Sequence, residues 1–337
     1  MKLITLYPLP LIFFTITLSF FLSVLCSILI LKFGSKIALI DIPNKRSSHS
    51  LTTPRGGGIG TLIAFVLIGI LVANEILFTL IAGTMGLFGL FEDRFTLAPK
   101  LRLLIQLVIS ASVVWLFLGL PTSKVAAALF LFWIIFITGT ANFYNFMDGI
   151  NGIAGLTGIV GFGLMAFFSH FIANKPDVAL MSVVLSAGCL GFLPFNFPKA
   201  KVFMGDVGSI FLGFVFASFV LRLSITIGIF LCLVMFLCTF YADAIVTIFY
   251  RWRRGENLIK AHRGHLYQYM SNELGMPHWI VSLLYALSQF VFGFLALLAY
   301  RKGLVWQFIV FLGFGIMFLF TYKIVKNIKP KYLLDRK

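Results

Sequence analysis

The chain has 337 residues, of which 60% are hydrophobic and 11% are charged, and its formal net charge is +16. A mean hydropathy of +1.03 and recurring apolar runs long enough to cross a bilayer indicate a polytopic α-helical membrane protein. Continuous apolar runs exclude an outer-membrane barrel, whose strands would alternate apolar and polar residues.

Eleven membrane spans are predicted, which makes the fold all-α and residues 1–337 a single integral membrane domain. The spans at 76–91 and 208–223 are the shortest, so a count of ten is the alternative. In chain order the predicted spans are 9–31, 57–73, 76–91, 102–120, 125–143, 152–173, 178–195, 208–223, 227–249, 279–299 and 304–323.

The distribution of basic residues predicts an orientation with the N-terminus outside and the C-terminus in the cytoplasm. In that orientation 21 of the 27 Lys and Arg residues lie on the cytoplasmic side, as the positive-inside rule requires. The net charge then reflects this bias and attraction to anionic lipid and phosphate, so no nucleic acid partner is needed. The four cysteines fall inside spans without metal or disulfide spacing and are interpreted as packing residues.

The few acidic residues are informative because ionisable groups at membrane depth usually mark a functional site or an internal ion pair. Glu75 and Asp177 are expected to be ordinary solvated groups in loops. Five acids lie at the predicted cytoplasmic end of a span or within one: Glu92, Asp93, Asp148, Asp206 and Asp243.

The first two cytoplasmic loops each allow two interpretations. Residues 44–60 combine Arg46, His49 and Arg55 with a glycine run, and could offer cations and backbone N–H groups to phosphate or form a flexible basic loop. The adjacent Glu92 and Asp93 could hold a divalent cation or supply a base, or form a helix-end charge cluster.

The third loop contains NFYNFMDGINGIAG, in which Asn142, Asn145, Asp148 and Asn151 recur every three residues. These side chains share a face if the helix continues, and Asn151 becomes a loop ligand if the following glycines end it. Amide and acid groups at this spacing suit a nucleobase, a sugar amide or a metal-bound water, and we prefer this interpretation to a polar helix cap.

The fourth and fifth loops add a candidate metal ligand and more cations. Asp206 in FMGDVGS could bind a magnesium–diphosphate or cap a helix. The fifth loop follows Asp243, which lies about 12 Å inside its span, and it favours phosphate binding over a zinc protease site. Its candidate residues are His262, Arg263 and His265.

Together, five polar loops on one face pool carboxylates for a metal and cations for phosphate. This pattern is typical of a phosphoryl-transfer enzyme that takes a soluble phosphorylated donor from the cytosol and a lipid acceptor from the bilayer. A transporter or flippase is the alternative, although its ionisable groups would lie near the bilayer midplane in paired repeats, and only Asp243 fits that description.

Four segments, in this order, resemble the polyprenyl-phosphate N-acetylhexosamine-1-phosphate transferases (glycosyltransferase family 4): FEDRFTLAPKLRLLIQ, NFYNFMDGINGIAG, FMGDVGSIFLG and AHRGHLYQ. The resemblance spans residues 44–268 and implies a multi-pass protein of the bacterial inner membrane. It implies transfer of a sugar 1-phosphate from a UDP-N-acetylhexosamine to undecaprenyl phosphate, with release of UMP and a need for Mg²⁺ or Mn²⁺. A homodimer is a further expectation.

The resemblance also implies roles for individual residues. Asp206 and Asp148 are expected to hold the metal, and Glu92, Asp93 and Asp206 to be catalytic, with Asp93 as base or covalent nucleophile. Phe203 corresponds to an aromatic residue that stacks on uracil, and Asp243 to an acid within a span. The remaining residues expected to bind substrates are Asn145, Asp148, Asn151, Arg263, His265, His262, Arg46, His49 and Arg55.

Three departures from the family pattern bear on the donor sugar. Glu92 and Asn151 each stand where an Asp is usual, and of the motif H-x-H-H only His265 is kept. The sequence is most similar to members that initiate O-antigen synthesis with UDP-N-acetyl-6-deoxyhexosamines or UDP-GlcNAc. A muramyl pentapeptide donor is not expected.

Overall fold

The structure is a computed structural model that describes residues 7–43, 48, 51–95, 97–257 and 263–328. It is built from α-helices joined by short connections, with one small antiparallel ribbon near the start. The helices are α1 (Leu9–Phe33), α2 (Ile59–Leu71), α3 (Ile76–Arg94), α4 (Pro99–Leu118), α5 (Lys124–Met147), α6 (Ile153–Phe171), α7 (Pro176–Asn196), α8 (Asp206–Leu223), α9 (Ile227–Val234), α10 (Cys238–Arg253), α11 (Leu266–Gln268), α12 (His278–Lys302) and α13 (Leu304–Asn327).

Ten helices in the described part of the chain are long and apolar enough to cross a membrane, counting α9 and α10 as one interrupted span. The two spans predicted as weakest, α3 and α8, are among them, and the chain is a multi-pass membrane protein. The prediction of eleven full spans is wrong at 57–73, where α2 has 13 residues. That length is about 20 Å, short of a hydrocarbon core of about 30 Å.

Two backbone features limit the length of α2. At its start, the N–H groups of Gly56, Gly57 and Gly58 bond to the carbonyls of Phe203 and Met204, so helical bonding begins only at Ile59. After its end, Asn74 adopts the left-handed conformation, with φ of 55°, and turns the chain into α3. The ribbon of β1 (Ile40–Asp41) and β2 (Thr53–Pro54) leads into the glycine run.

Helix α8 forms the centre of the bundle and packs mainly against α3 and α5. In an 18-residue stretch of α8, 89% of the residues are buried, against 17% for α13. Glycines allow this close packing: a Cβ on Gly213 would collide with the α5 backbone at Thr140 and Ala141, and one on Gly89 with the Asp206 backbone. Small residues at helix contacts are typical of membrane bundles.

The span predicted at 227–249 is interrupted by a 3₁₀ turn between α9 and α10, at Met235–Leu237. Gln289 of α12 is buried beside the turn, and its Nε2 donates hydrogen bonds to the carbonyls of Phe236 (2.7 Å) and Thr157 (3.1 Å). The break in the helix therefore does not leave the Phe236 carbonyl without a hydrogen bond, because the Gln289 side chain supplies one.

The expectation that Glu75 and Asp177 are ordinary solvated groups is wrong. Arg222, near the C-terminal end of α8, contacts Glu75 Oε1 at 2.6 Å and Asp177 Oδ2 at 2.5 Å. Glu75 precedes α3 and Asp177 begins α7, so this ion cluster joins the ends of three helices. The cysteines, by contrast, follow the prediction: Cys26, Cys189, Cys232 and Cys238 are free thiols inside helices.

Candidate active site

A polar pocket of about 270 Å³ opens at the end of the bundle where α8 begins. It collects seven of the residues predicted from the sequence, which come from four separate loops: Arg55, Asp93, Asn145, Asp148, Asn151, Phe203 and Asp206. Its wall also contains polar residues that the sequence analysis did not select: Asp41, Ser48, Asn196, Gln268 and His278.

Asp206 is the first residue of α8 and is held by two neighbours. Its Oδ1 accepts a hydrogen bond of 2.8 Å from Asn145 Nδ2, and its Oδ2 lies 3.3 Å from Arg102 Nη1. The side chain is 24% exposed and faces the pocket. Asn145 Nδ2 also donates to Ser209 Oγ at 2.9 Å, so the amide joins α5 to the first turn of α8.

Arg102, near the start of α4, is a site residue that the sequence analysis missed. Besides Asp206, its guanidinium contacts Glu92 Oε2 through Nε at 3.2 Å and donates from Nη2 to Asn145 Oδ1 at 3.0 Å. Three nitrogens therefore hold three partners from different helices. In the sequence, Arg102 stands in APKLRLLIQ, where it looks like one more of the basic residues that set the orientation in the membrane.

Glu92, by contrast, turns its carboxylate to Arg102 and is 4% exposed at the side chain. Glu92 is not among the described residues that line the pocket. Asp93 borders the pocket but is fully buried at the side chain, and its oxygens accept hydrogen bonds from the backbone N–H groups of Asp206 and Val207. The adjacent acids thus have different partners: Arg102 for Glu92, and the backbone at the start of α8 for Asp93.

The glycine run does not offer its N–H groups to a ligand, because all three are bonded to the backbone at Phe203 and Met204. A Cβ on Gly58 would overlap the Gly208 backbone, so the run is a contact between α2 and α8. The prediction that these glycines offer N–H groups to phosphate is therefore wrong. Arg55 lies beside Asp93, with Nε 3.5 Å from Oδ1. Two predicted cationic candidates of this loop, Arg46 and His49, lie outside the described residues.

Helix α5 ends at Met147, with Asp148 as its C-cap. The spacing of three therefore does not give one shared face: Asn142 Nδ2 bonds to Gln106 Oε1 at 2.6 Å, away from the pocket wall, while Asn145 and Asp148 line it. Asn151 lies in the turn after the helix, which is the second of the two alternatives derived from the sequence.

The carboxylate of Asp148 accepts no hydrogen bond from any described residue and faces the pocket shared with Asp206. Burial, together with the nearby charges of Asp206 and Asp93, raises the pKa of Asp148 to about 8. A carboxylate in this situation favours either a proton or a metal cation, since both remove the cost of a buried negative charge.

Asn151 is fixed by neighbours that the sequence did not identify. Its N–H donates to His278 Nδ1 at 3.4 Å, and its carbonyl accepts from Ser282 Oγ at 2.8 Å. Its side-chain Nδ2 donates to the carbonyl of Pro198 at 3.4 Å. These contacts bring the start of α12 to the pocket, and no local pattern around His278 indicates this position.

The fifth loop is organised by Asp243. Its carboxylate accepts hydrogen bonds from the N–H groups of Leu266 and Tyr267, from Tyr285 Oη at 2.6 Å and from Thr247 Oγ1. His265 Nδ1 lies 3.3 Å from the same carboxylate, and the ring is buried. The acid therefore anchors this segment.

Of the fifth-loop residues, Gln268 reaches the pocket wall, while Arg263 and His265 do not. The structure thus does not bring these two predicted residues into the pocket. His262 lies outside the described residues.

The chemistry of the pocket can be tested against a divalent cation. Among the described residues, no three His, Cys, Asp or Glu side chains cluster closely enough to form a metal site by themselves. Mg²⁺ usually takes one or two carboxylates and completes its shell with water and phosphate oxygens. The pocket fits that requirement. It has two carboxylates, those of Asp206 and Asp148, and the Asp148 carboxylate accepts no hydrogen bond from any described residue.

Residues 75–224 match the family model described as "Glycosyl transferase family 4". A probable undecaprenyl-phosphate N-acetylglucosaminyl 1-phosphate transferase of Bacillus subtilis is 30% identical over 221 residues, covering 59% of this chain and 60% of the relative. An undecaprenyl-phosphate alpha-N-acetylglucosaminyl 1-phosphate transferase of Thermotoga maritima is 24% identical, covering 58% and 60%.

A third relative, a phospho-N-acetylmuramoyl-pentapeptide-transferase of Bacillus pumilus, is 29% identical over 236 residues, covering 60% of this chain and 72% of the relative. The chain spans about 60% of the length of the first two of these relatives. The matched segment 75–224 contains the acid pair, Arg102, Asn145, Asp148 and Asp206.

Proposed function

We propose that this chain, whose residues 75–224 match the model of glycosyl transferase family 4, is a transferase of that family. It transfers an N-acetylhexosamine 1-phosphate from a UDP-sugar to undecaprenyl phosphate, giving an undecaprenyl-diphosphate-linked sugar and UMP. The observation that carries the proposal is the polar pocket at one end of an apolar bundle, in which Asp206, Asp148, Asn145 and Arg55 meet.

The pocket has the two kinds of group that a sugar nucleotide requires. Arg55 lines it and Arg102 contacts Asp206 at its edge, so two guanidinium groups can neutralise diphosphate oxygens and donate paired hydrogen bonds. Phe203 offers an apolar face suited to a base, and the amides of Asn151 and Gln268 offer hydrogen-bonding groups suited to a base or an N-acetyl sugar.

Asp206 and Asp148 would hold Mg²⁺, or Mn²⁺ in its place. When bound, the cation would lower the charge of the diphosphate and stabilise the charge that develops on phosphoryl oxygens. Asn145 orients the Asp206 carboxylate by donating to its Oδ1, and Arg102 orients it from the other oxygen.

The reaction is a displacement at the β-phosphorus of the donor. An oxygen of the lipid phosphate forms the new P–O bond while the bond from that phosphorus to the bridging oxygen breaks, and UMP leaves with the bridging oxygen. Positioning and charge stabilisation supply most of the catalysis in such a reaction. A lipid phosphate is already largely ionised at neutral pH, so attack needs no base.

A second cavity suits the lipid acceptor. It has a volume of about 470 Å³, is lined almost entirely by apolar side chains and lies between α5, α10 and α13. Phe143 of α5 lines this cavity, and Asn145, two residues further on, lines the polar pocket. The two cavities thus come to a similar level along α5, since residues two apart differ by about 3 Å along the helix axis. We expect a prenyl chain held in the cavity to have its phosphate at the end of the bundle that carries Asp206.

The wider biological setting belongs to the same proposal. The protein lies in the bacterial inner membrane with the pocket on the cytoplasmic side, and its product initiates O-antigen or a related envelope glycan. Arg263 and His265 remain predicted contributors to donor binding, His265 through the segment that ends at Gln268, and a homodimer remains a prediction.

The transporter alternative depended on Asp243 alone, and the surroundings of this residue do not support it. Asp243 is enclosed by donors from α10, α12 and the segment 265–267, and it faces neither cavity.

The direct test uses membranes that contain the protein, undecaprenyl phosphate, Mg²⁺ and a panel of radiolabelled UDP-N-acetylhexosamines. We expect labelled lipid and an equal amount of UMP from at least one donor, and neither product without the acceptor. Membranes carrying an Asp206→Ala variant are the matched control. Absence of both products with every donor, in membranes with folded protein, would contradict the proposal.

A further inference from the structure

We propose that Asp93 is a positioning residue that anchors the N-terminus of α8 and thereby fixes Asp206, instead of serving as base or nucleophile. This inference rests on the proposed function in one respect, namely that Asp206 binds the metal cation. It assigns the two acids of FEDR different tasks, which the sequence alone could not separate.

The hydrogen bonds of Asp93 are those of a helix cap supplied from another helix. Its Oδ1 accepts from the Asp206 N–H at 2.9 Å and its Oδ2 from the Val207 N–H at 3.1 Å. The first N–H groups of a helix lack partners within the helix, and α8 has no capping side chain of its own at Gly205. Asp93 therefore supplies the missing acceptors for two of them.

The groups around Asp93 partly offset the cost of burying its carboxylate beside Asp206. The N-terminal end of a helix carries partial positive charge and stabilises a nearby carboxylate. On its other side Asp93 meets Arg55, whose Nε lies 3.5 Å from Oδ1 and whose Nη2 donates to the Asp93 carbonyl. The carboxylate is thus held between two α8 amides and a guanidinium.

The backbone is shaped for this contact. Gly205 has φ of +77°, a conformation that L side chains rarely adopt, and a Cβ there would press against Asp93 Oδ2. A Cβ on Gly89, one turn before Asp93, would overlap the Asp206 backbone. Glycines on both α3 and its partner thus let the carboxylate reach the amides.

Asp93 is poorly placed for proton transfer. A general base must come within hydrogen-bond distance of the substrate proton, yet the Asp93 side chain has no exposed surface, even though the residue borders the pocket. Glu92 complements it through Arg102, which contacts the Asp206 carboxylate. The acid pair therefore fixes Asp206 twice, by its backbone and by its side chain.

The test compares Asp93→Asn and Asp93→Ala in purified protein. Asn keeps one acceptor oxygen and Ala keeps none, so positioning predicts graded effects: Asn lies between wild type and Ala. Hydrogen exchange of metal-free protein should show faster exchange at Asp206 and Val207 in Ala. Mn²⁺ titration followed by electron paramagnetic resonance should show weaker binding in Ala by about 10–100-fold, the usual effect of losing a group that orients a ligand.

A matched control is Asp177→Asn, which removes a carboxylate from the ion cluster at the other end of α8 and should leave Mn²⁺ binding unchanged. The inference would be overturned if both Asp93 variants kept wild-type hydrogen exchange and Mn²⁺ affinity but lost turnover equally. That result would show that Asp93 acts as a base or nucleophile. Should Asp93→Ala fail to fold, Asp93→Asn alone decides. Neither readout needs turnover, so failure of the proposed transferase activity is a separate result.

Discussion

The two ends of α8 carry similar charges with different outcomes. At its far end Arg222 lies between Glu75 and Asp177, with contacts of 2.6 and 2.5 Å. At its start Arg102 lies between Glu92 and Asp206, with contacts of 3.2 and 3.3 Å. Each end is thus an arginine between two acids from different elements.

The exposure of the acids does not distinguish the ends, since the side chains of Asp206 and Glu75 are both 24% exposed. What differs is the surplus of acid: the start of α8 also has the carboxylates of Asp93, which Arg55 contacts, and of Asp148, which lines the pocket and accepts no hydrogen bond from any described residue. Charge at the end of a membrane helix is therefore weak support for a site, and an uncompensated carboxylate in a cavity is stronger.

The largest expected effect comes from Asp206→Ala. Loss of a carboxylate that binds the cation should lower turnover by at least about 10²-fold, and excess Mg²⁺ should not restore it. The radiolabelled transfer assay over a range of Mg²⁺ concentrations measures this. Full recovery at high Mg²⁺ would count against Asp206 as a ligand.

Arg102→Gln should have an intermediate effect. Hydrogen bonds to charged groups contribute about 1.5–3 kcal/mol, and loss of that amount at the transition state lowers turnover by about 10–100-fold. Arg102→Lys is the control: it keeps the charge but has all its N–H donors on a single nitrogen, which cannot reach three partners in the way the guanidinium does. We therefore expect its activity to lie between those of Arg102→Gln and wild type. Equal activity of Lys and wild type would show that only charge matters at this position.

Arg222→Gln, at the far end, should have the smallest effect on catalysis. The substitution leaves Glu75 and Asp177 without their shared cation. We expect the free energy of unfolding to fall by about 1–2 kcal/mol, less than for a fully buried ion pair, because solvent partly screens these side chains. Thermal unfolding in detergent measures this. Turnover per folded molecule should match wild type, and a loss of turnover without a loss of stability would erase the contrast between the two ends.

The sequence was sufficient for the long spans and for the acids and amides at the centre of the pocket. Apolar runs located every long span because burial in lipid requires them, and Asn145, Asp148 and Asp206 stood out because polar residues are rare at such positions. The short α2 could not be foreseen, because its start is set by backbone bonds to Phe203 and Met204, about 145 residues later in the chain.

Residues that act through distant partners were also missed or assigned differently. Arg102 looked like a loop cation, and His278 like the last loop residue before the span predicted at 279–299. Nothing local indicates that these two residues meet Asp206 and Asn151. Asp93 was predicted to be a base or nucleophile and Asp243 an acid within a span, and in the structure both accept backbone hydrogen bonds at helix starts. A sequence shows that an acid is buried but not which amides face it.

The central position of α8 has a consequence for how the protein is made. Its two ends depend on charged partners at Glu75, Glu92, Asp93, Arg102 and Asp177, and all five precede α8 in the chain. Chains emerge from the ribosome N-terminus first. When Asp206 and Arg222 enter the membrane, the groups that neutralise them have already been synthesised, so the order of the helices itself reduces the cost of inserting a helix that has charge at both ends.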